Sequence, residues 1–442
     1  MEVSVNKKSK IPVSLGKETS AIVLFLGMIA LWGLVVIRDV VGISYSKLIF
    51  VGVASAVGIW LTYSDLIAFF ALLIPMSCGL PNNYYFMILT LLLIVKKGKF
   101  NVLQISIPLI VIAQECLLTL FTPSFLFLRT LAYCADVLMV FFIILDDYDE
   151  KVNAKKVLKY FLYGASFTLI MVFLLSVKEH TLAKILTGAH RIGYTKEMTD
   201  ETLKFSTNAN TIGFYALMCS SVCLYFLSQN TRHKSGYLAL FCVDSAIGFF
   251  SVSRSYMLFW AFILAIYFFK TFKLNTKGII FLCGAALVLC VGGYILYTKT
   301  DLLDAYLGRF SQENVSTAGG RTELLVQYFQ WQIARPLRFL FGTGASYYLY
   351  VVDIPESLHN GTQQIVFCYG IFGAVVFAYA FYKAWKKAAG NKKVSIYALL
   401  PLLALALFVQ TVQFLAPHEY FMSIIVCFYA IRGGRNERTR QR

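Results

Sequence analysis

The chain has 442 residues, of which 58% are apolar and only 14% are charged, and its mean hydropathy is +0.68. Because soluble domains carry about 25% charged residues, this composition excludes a water-soluble globular protein and predicts an all-α polytopic membrane protein. The net charge of +17 would suggest a nucleic-acid partner in a soluble protein. Here the charges lie in short loops between apolar runs, so we expect no nucleic acid.

The apolar runs predict about 12–14 transmembrane helices within a single domain, residues 1–442, since about 20 apolar residues span a bilayer. The first run follows Lys17 and is too long for the h-region of a signal peptide, so we interpret it as a membrane helix. The predicted segments cover approximately 20–37, 45–63, 65–79, 84–96, 102–121, 125–146, 157–177, 209–228, 237–251, 255–272, 278–297, 362–385, 395–414 and 418–431.

The distribution of lysine and arginine predicts the topology. If both termini are cytoplasmic, the cytoplasmic tails and loops contain 26 of the 40 Lys and Arg residues, as the positive-inside rule requires. This threading places two long loops, 178–207 and 298–361, on the extracytoplasmic side. Long polar loops on one face are typical of a functional surface, because short turns would suffice to connect the helices.

The ten cysteines lie in or at the edges of apolar segments. We therefore predict neither a disulfide framework nor a cysteine-based metal site. Acidic residues also occur inside apolar segments. Glu115 and Arg129 are predicted structural partners, whereas Asp136 and Asp244 fit either a functional role or a hydrogen-bonded packing role.

Two short polar stretches lie on the predicted extracytoplasmic side before the second long loop. Asn208 and Asn210 occur where the first long loop enters the eighth helix, and they fit either a helix cap or contacts to a sugar. Arg254 follows Ser253 in a tight turn between two apolar segments. An arginine there is costly unless it pairs or binds an anion, and the alternative is that it reaches a lipid phosphate.

The second long loop contains a predicted amphipathic helix at 301–310 against the membrane surface, followed by a helix over about 321–335 that Pro336 ends. Gly319 and Gly320 open this second helix beside Arg321. Free backbone N–H groups next to a guanidinium form a plausible diphosphate site, and a flexible turn with a surface arginine is the alternative. His359, at the mouth of the next helix, fits either a general base or a polar cap.

These stretches occur in a recognisable order. The motifs are Asn-x-Asn-x-x-Gly (Asn208, Asn210, Gly213), Ser-Arg (Ser253, Arg254), Gly-Arg-Thr-Glu (Gly320 to Glu323), Phe-Gly-x-Gly (Phe341, Gly342, Gly344), His-Asn (His359, Asn360) and the glycines Gly370 and Gly373. The succession resembles the bacterial O-antigen polymerase and O-antigen ligase family, the Wzy and WaaL type enzymes. The resemblance covers roughly residues 206–375, whereas residues 1–200 match in hydropathy alone.

The resemblance implies a GT-C-like glycosyltransferase that acts on undecaprenyl-diphosphate-linked oligosaccharides in the bacterial cytoplasmic membrane. No cofactor, metal or nucleotide sugar is expected, and membrane lipids and a chain-length regulator are expected partners. The implied catalytic residues are His359 as the base, Glu323 as its rival, and Arg254 and Arg321 at the leaving diphosphate. The implied substrate-binding residues are Arg191, Arg309, Asn208, Asn210, Asn360 and Gly320.

The motifs do not separate a repeat-unit polymerase from a ligase, and the high number of predicted helices favours the polymerase. A lipid-linked oligosaccharide flippase is the rival from another class. Such a transporter is expected to show two related halves and broken helices near the midplane, whereas here the polarity is concentrated in one late external loop.

Overall fold

A computed structural model of the chain describes residues 16–77, 84–120, 127–147, 152–193, 207–229, 233–271, 294, 298, 301–312, 321–346, 348–354, 356–415 and 418–435. Within these ranges the structure consists of helices and connecting turns, without a strand. The all-α fold class is confirmed for this part of the chain.

Ten helices lie in the first 271 residues of the described chain. They are α1 (Lys17–Val36, continued by a π-helical turn at Ile37–Val41), α2 (Lys47–Trp60), α3 (Tyr63–Met76), α4 (Tyr84–Lys97), α5 (Val102–Leu120), α6 (Phe127–Ile144), α7 (Ala154–Leu186), α8 (Ala209–Ser228), α9 (Lys234–Phe250) and α10 (Arg254–Thr271).

Four short helices of the second loop and four further helices follow. The loop helices are α11 (Leu302–Gln312), α12 (Arg321–Ile333), α13 (Pro336–Phe341) and α14 (Tyr348–Val351). The last four are α15 (Gly361–Ala389), α16 (Ile396–Phe408), α17 (His418–Met422) and α18 (Ile424–Arg435).

Five of the described helices are long and apolar enough to cross a membrane, which is consistent with the predicted helical membrane protein. They are α1 with its π-helical turn, α5, α7, α8 and α15. Other predicted segments form shorter apolar helices. For example, α2 and α3 have 14 residues each, or about 21 Å at 1.5 Å per residue. The predicted eleventh segment, 278–297, lies almost wholly outside the described residues.

The interior of the bundle is built around α3 and α8. Every residue of α3 from Asp65 to Met76 is buried, and so are nearly all residues of α8. The close crossing of α3 and α7 depends on Gly164, because a Cβ at this position would overlap the backbone carbonyl of Leu72. Helix α3 is buried by protein rather than by lipid, which explains how an apolar helix too short to span a bilayer is accommodated.

One end of the bundle, which we call the lysine-rich end, is held by three ion pairs. The pairs are Lys97 with Asp146 at 2.5 Å, Lys156 with Asp65 at 2.5 Å, and Lys387 with Asp147 at 2.6 Å. They join the ends of α3, α4, α6, α7 and α15. The predicted cytoplasmic loops around 96–99, 151–159 and 383–393 therefore meet at one end, and we call the opposite end the loop end.

Candidate functional site

At the loop end, a strained turn separates α9 from α10. Val252 has φ = 48°, a left-handed conformation that is a true outlier for a β-branched residue. The Ser251 carbonyl in this turn accepts a 2.9 Å hydrogen bond from Nε of Arg191. Arg254 is the first residue of α10. The structure thus brings Arg191 to the turn that carries Arg254, although 60 residues separate Arg191 from Ser251.

The two asparagines of α8 are placed against the same turn. The Asn208 side chain accepts a 2.8 Å hydrogen bond from the Asn210 backbone N–H, so Asn208 is the N-cap of α8. This confirms the helix-cap interpretation. The Asn210 side chain accepts a 3.3 Å hydrogen bond from the Ser253 hydroxyl. The first two motifs of the sequence therefore form one structural unit, which we call the arginine turn (Arg191, Asn208, Asn210 and 251–254).

The amphipathic helix predicted at 301–310 is confirmed as α11, but its apolar face is divided. Leu302 and Tyr306 are buried against Val252, and the Tyr306 hydroxyl donates to the Phe249 carbonyl at 2.8 Å. The sequence predicted that these two residues face the membrane surface, but they pack on the protein. Leu303 remains exposed. Arg309 belongs to the same helix, and its side chain lies outside the described residues.

A second group, which we call the histidine cluster, contains His359, Arg321 and Ser357. The His359 imidazole is half-buried, and its Nε2 lies 3.4 Å from the Ser357 hydroxyl oxygen. Burial lowers the pKa of His359 from its ordinary value of 6.5, the positive charge of Arg321 lowers the pKa further, and the Glu356 carboxylate opposes these effects. The imidazole is therefore mainly neutral at pH 7, the form that can accept a proton.

The remaining residues predicted for this region are placed differently. Asn360 is the N-cap of α15, since its side-chain oxygen accepts from the Gln363 N–H at 2.9 Å. Its amide nitrogen donates to the Gln410 side chain at 3.4 Å. Glu323 lies two residues after Arg321 in α12 and is exposed. Gly320 lies outside the described residues.

The end of α16 connects the histidine cluster to the arginine turn. The Gly361 N–H donates to the Val409 carbonyl at 2.6 Å. The ring of Phe408, one residue earlier, lies 5.4 Å from the ring of Phe214 in α8. The Thr211 hydroxyl, near the first residues of α8, lies 3.0 Å from the Tyr420 hydroxyl. Both groups are thus at the loop end, linked through α8 and α16.

An open cleft of about 570 Å³ borders the histidine cluster. It is lined by Leu349, Val352, Asp353, Ile354 and Ser357, and the last of these is the residue whose hydroxyl neighbours the His359 ring. The described residues contain no group of three His, Cys, Asp or Glu side chains that could hold a metal ion.

The Phe-Gly-x-Gly motif has a structural role that sequence reasoning missed. Helix α15 is broken at Gly370, which has φ = 64°, and a Cβ there would overlap the Leu340 carbonyl. The loop after α13 crosses this break. The N–H groups of Thr343 and Gly344 donate to the Cys368 carbonyl at 3.0 and 2.8 Å. The motif therefore satisfies a carbonyl that the break leaves without its helical partner.

Two buried glutamines complete this arrangement. Gln114 of α5 donates through Nε2 to the Phe341 and Tyr369 carbonyls at 2.6 and 2.8 Å. Gln332 of α12 donates to the Val366 carbonyl at 2.9 Å. The only sequence signal for the break was the pair of glycine motifs, since nothing near Gln114 or Gln332 in sequence indicates these distant partners.

The buried acids also have partners that differ from the expected ones or were not foreseen. The Glu115 carboxylate accepts 2.8 Å hydrogen bonds from the N–H groups of Ala345 and Ser346. The predicted partner of Glu115, Arg129, has a side chain outside the described residues. Asp244 in α9 accepts a 2.7 Å hydrogen bond from the Ser166 hydroxyl, which fits the packing alternative, and Asp136 is fully buried in α6.

A scan against protein-family models finds no family that matches this chain, and a search of curated proteins finds no match either.

Proposed function

We propose that this protein is a polysaccharide repeat-unit polymerase. It transfers a glycan from a lipid diphosphate to a hydroxyl of an acceptor lipid-linked repeat unit, on the outer face of the bacterial cytoplasmic membrane. The observation that supports this proposal best is the histidine cluster, where a neutral imidazole lies near an arginine beside an open cleft. The order of the loop-end motifs, which resembles that of the O-antigen polymerase family, is the second support.

In the proposed reaction, the acceptor hydroxyl attacks the anomeric carbon of the donor glycan. A new carbon–oxygen glycosidic bond forms as the bond from the anomeric carbon to the diphosphate oxygen breaks. The hydroxyl proton passes to the neutral ring of His359, and the lipid diphosphate leaves with the bonding electron pair. General-base assistance of this kind contributes about 10²–10⁴-fold to a rate.

The leaving diphosphate develops negative charge, which guanidinium groups are suited to meet. Arg321 begins α12 near His359, and Arg254 with Arg191 lies at the arginine turn. Losing one such contact in a partly desolvated site costs about 2–4 kcal/mol of transition-state stabilisation, or roughly a hundredfold in rate.

A transporter is the second candidate, and the break in α15 is the observation that favours it, because broken helices line the binding sites of many secondary transporters. In this chain, however, protein groups seal the break. Thr343 and Gly344 cover the Cys368 carbonyl, and Gln114 covers the Tyr369 carbonyl. Backbone groups with protein partners are not available to coordinate a transported ion, so we prefer the polymerase.

The experiment compares Arg254→Ala, Arg321→Ala and His359→Ala in a strain of the source organism that lacks its own copy of the gene. Lipid-linked glycans are extracted and sized at matched amounts of protein in the membrane. For each variant, we expect single repeat units to accumulate and the rate of polymer formation to fall about a hundredfold. Full-length polymer from all three variants would contradict the proposed function.

Two further variants sharpen this experiment. Lys234→Ala removes an exposed cation at the start of α9, the end of that helix far from the arginine turn, and we expect normal polymer. Glu323→Gln tests the rival base. Polymer lost in Glu323→Gln but retained in His359→Ala would assign proton transfer to Glu323. A transporter, in contrast, would leave the repeat units on the cytoplasmic face when it fails.

A further inference from the structure

The α12 helix presents three distinct faces. One face is buried against the protein and includes Leu324, Tyr328 and Gln332. A second face is exposed and polar, with Glu323, Gln327 and Gln330. The third face is exposed and apolar, with Leu325, Val326, Phe329 and Ile333.

A helix on the surface of a water-soluble region needs one apolar face for the protein and a polar face for water. The additional exposed apolar face of α12 has no purpose in water. The same feature continues in α13, where Leu337 is 73% exposed and Leu340 and Phe341 are also exposed. Within α12, Leu325, Phe329 and Ile333 recur at intervals of four and therefore lie in one row. We call these three residues, together with Leu337 and Leu340 of α13, the apolar stripe.

The stripe joins the apolar surface of a candidate membrane span. The rings of Phe341 and Phe372 lie 6.2 Å apart, and both side chains are exposed. From Phe372 the exposed apolar surface continues along α15 through Val375, and α15 is one of the five helices that fit a membrane. Lipid that covers Val375 and Phe372 therefore reaches Phe341 without a gap.

The turn between α12 and α13 has the composition of a membrane–water boundary. The guanidinium carbon of Arg335 lies 4.2 Å from the centre of the Trp331 ring, and Arg335 is exposed. Tryptophan and arginine favour the headgroup level of a bilayer, where the ring and the aliphatic stem remain in an apolar environment and the charge meets phosphate.

We infer that α12 and α13 are embedded in the interface of the bilayer at the loop end, with the apolar stripe in the acyl chains and the Glu323, Gln327 and Gln330 face in water. Helices of this kind bury their apolar face about 5–10 Å below the headgroups. The depth of α12 in the interface then fixes the height of the histidine cluster, since Arg321 begins this helix. This inference does not depend on the proposed function.

The test adds one tryptophan to the full chain in phosphatidylcholine nanodiscs, at Phe329 or Leu337 on the stripe and at Gln327 or Gln330 on the polar face. All four side chains are exposed, so the substitutions leave the buried face intact. The emission of each variant, minus that of the parent protein, is measured with phospholipid brominated in the upper part of the acyl chain and with acrylamide in water.

We expect Phe329→Trp and Leu337→Trp to lose most of the added emission in brominated lipid and little with acrylamide, and Gln327→Trp and Gln330→Trp to show the reverse. Stripe positions that acrylamide quenches as strongly as the polar positions would overturn the inference. Shielding of the stripe from both quenchers would also overturn it, because another protein surface would then cover the stripe.

Discussion

The buried carboxylate of Glu115 accepts a 2.8 Å hydrogen bond from the backbone N–H of Ala345, 230 residues later in the chain. The second oxygen accepts from Ser346. A membrane helix, α5, is thereby fastened to the loop that seals the break in α15. A charged residue inside an apolar segment is usually a candidate for function, but this one anchors backbone.

Replacing Glu115 should destabilise the protein in proportion to the number of donors left unsatisfied. Glu115→Ala leaves two buried N–H groups without acceptors, at about 1–3 kcal/mol each, whereas Glu115→Gln retains one acceptor and should cost less. Thermal unfolding in detergent measures the difference. The control Leu117→Ala changes an exposed side chain of the same helix and should lower stability less than Glu115→Ala. Equal unfolding temperatures for Glu115→Ala and the parent would contradict this role.

Gly370→Ala should disrupt the break in α15. The backbone conformation of Gly370, with φ = 64° and ψ = −170°, is essentially restricted to glycine and costs an alanine about 1–3 kcal/mol. The added Cβ would also overlap the Leu340 carbonyl. We expect a lower unfolding temperature and faster proteolysis of the loop after α13. Gly33→Ala is the matched control, because it lies in α1 with open space around its Cβ position. If both variants unfold at the same temperature as the parent protein, that result would contradict the close contact between Gly370 and the Leu340 backbone.

The pH dependence of polymer formation should report His359. Burial and the charge of Arg321 lower the pKa of His359 below 6.5, and Glu356 raises it. The rate should therefore be constant near pH 7 and fall below pH 6.5, where the ring becomes protonated and cannot accept a proton. Glu356→Gln removes the opposing charge, so the fall should move to lower pH, and a move to higher pH would contradict this account. Initial rates of polymer formation in membranes between pH 5 and pH 8 provide the measurement.

The topology can be tested by labelling two new cysteines with a membrane-impermeant maleimide. Lys184→Cys lies near the loop end and Lys392→Cys near the lysine-rich end, and both side chains are exposed. We expect intact spheroplasts to label Lys184→Cys, and Lys392→Cys to react only after the membrane is opened. The parent protein gives the background from the native cysteines. The opposite pattern would place the histidine cluster in the cytoplasm and remove the basis of the proposed function.

The sequence predicted those features of the fold that depend on residues close together in the chain. Apolar runs and their spacing indicated where the helices lie, including α11 and α12 in the second loop, and a helix cap was one of the two interpretations of Asn208. These features depend on residues within one or two turns of each other. The clustered lysines likewise predicted which helix ends share one face, and three ion pairs join those ends.

Features that depend on distant residues were not predictable. The sequence around Arg191 does not indicate that its guanidinium meets the Ser251 carbonyl, and the sequence around Glu115 pointed to Arg129 rather than to the backbone of Ala345. The helix break at Gly370 was also missed, because glycine is common in membrane helices. The Phe-Gly-x-Gly motif looked like a turn beside a site, whereas its glycines permit a close approach between two backbones.

The break in α15 has a consequence for biosynthesis. A membrane helix with open carbonyls is costly in lipid until other groups satisfy them. The described partners of these carbonyls, Gln114, Gln332 and the amides of Thr343 and Gly344, all precede Cys368 in the chain. These partners therefore leave the ribosome before Cys368 does, so the groups that satisfy the broken helix are outside the ribosome when the break in α15 emerges.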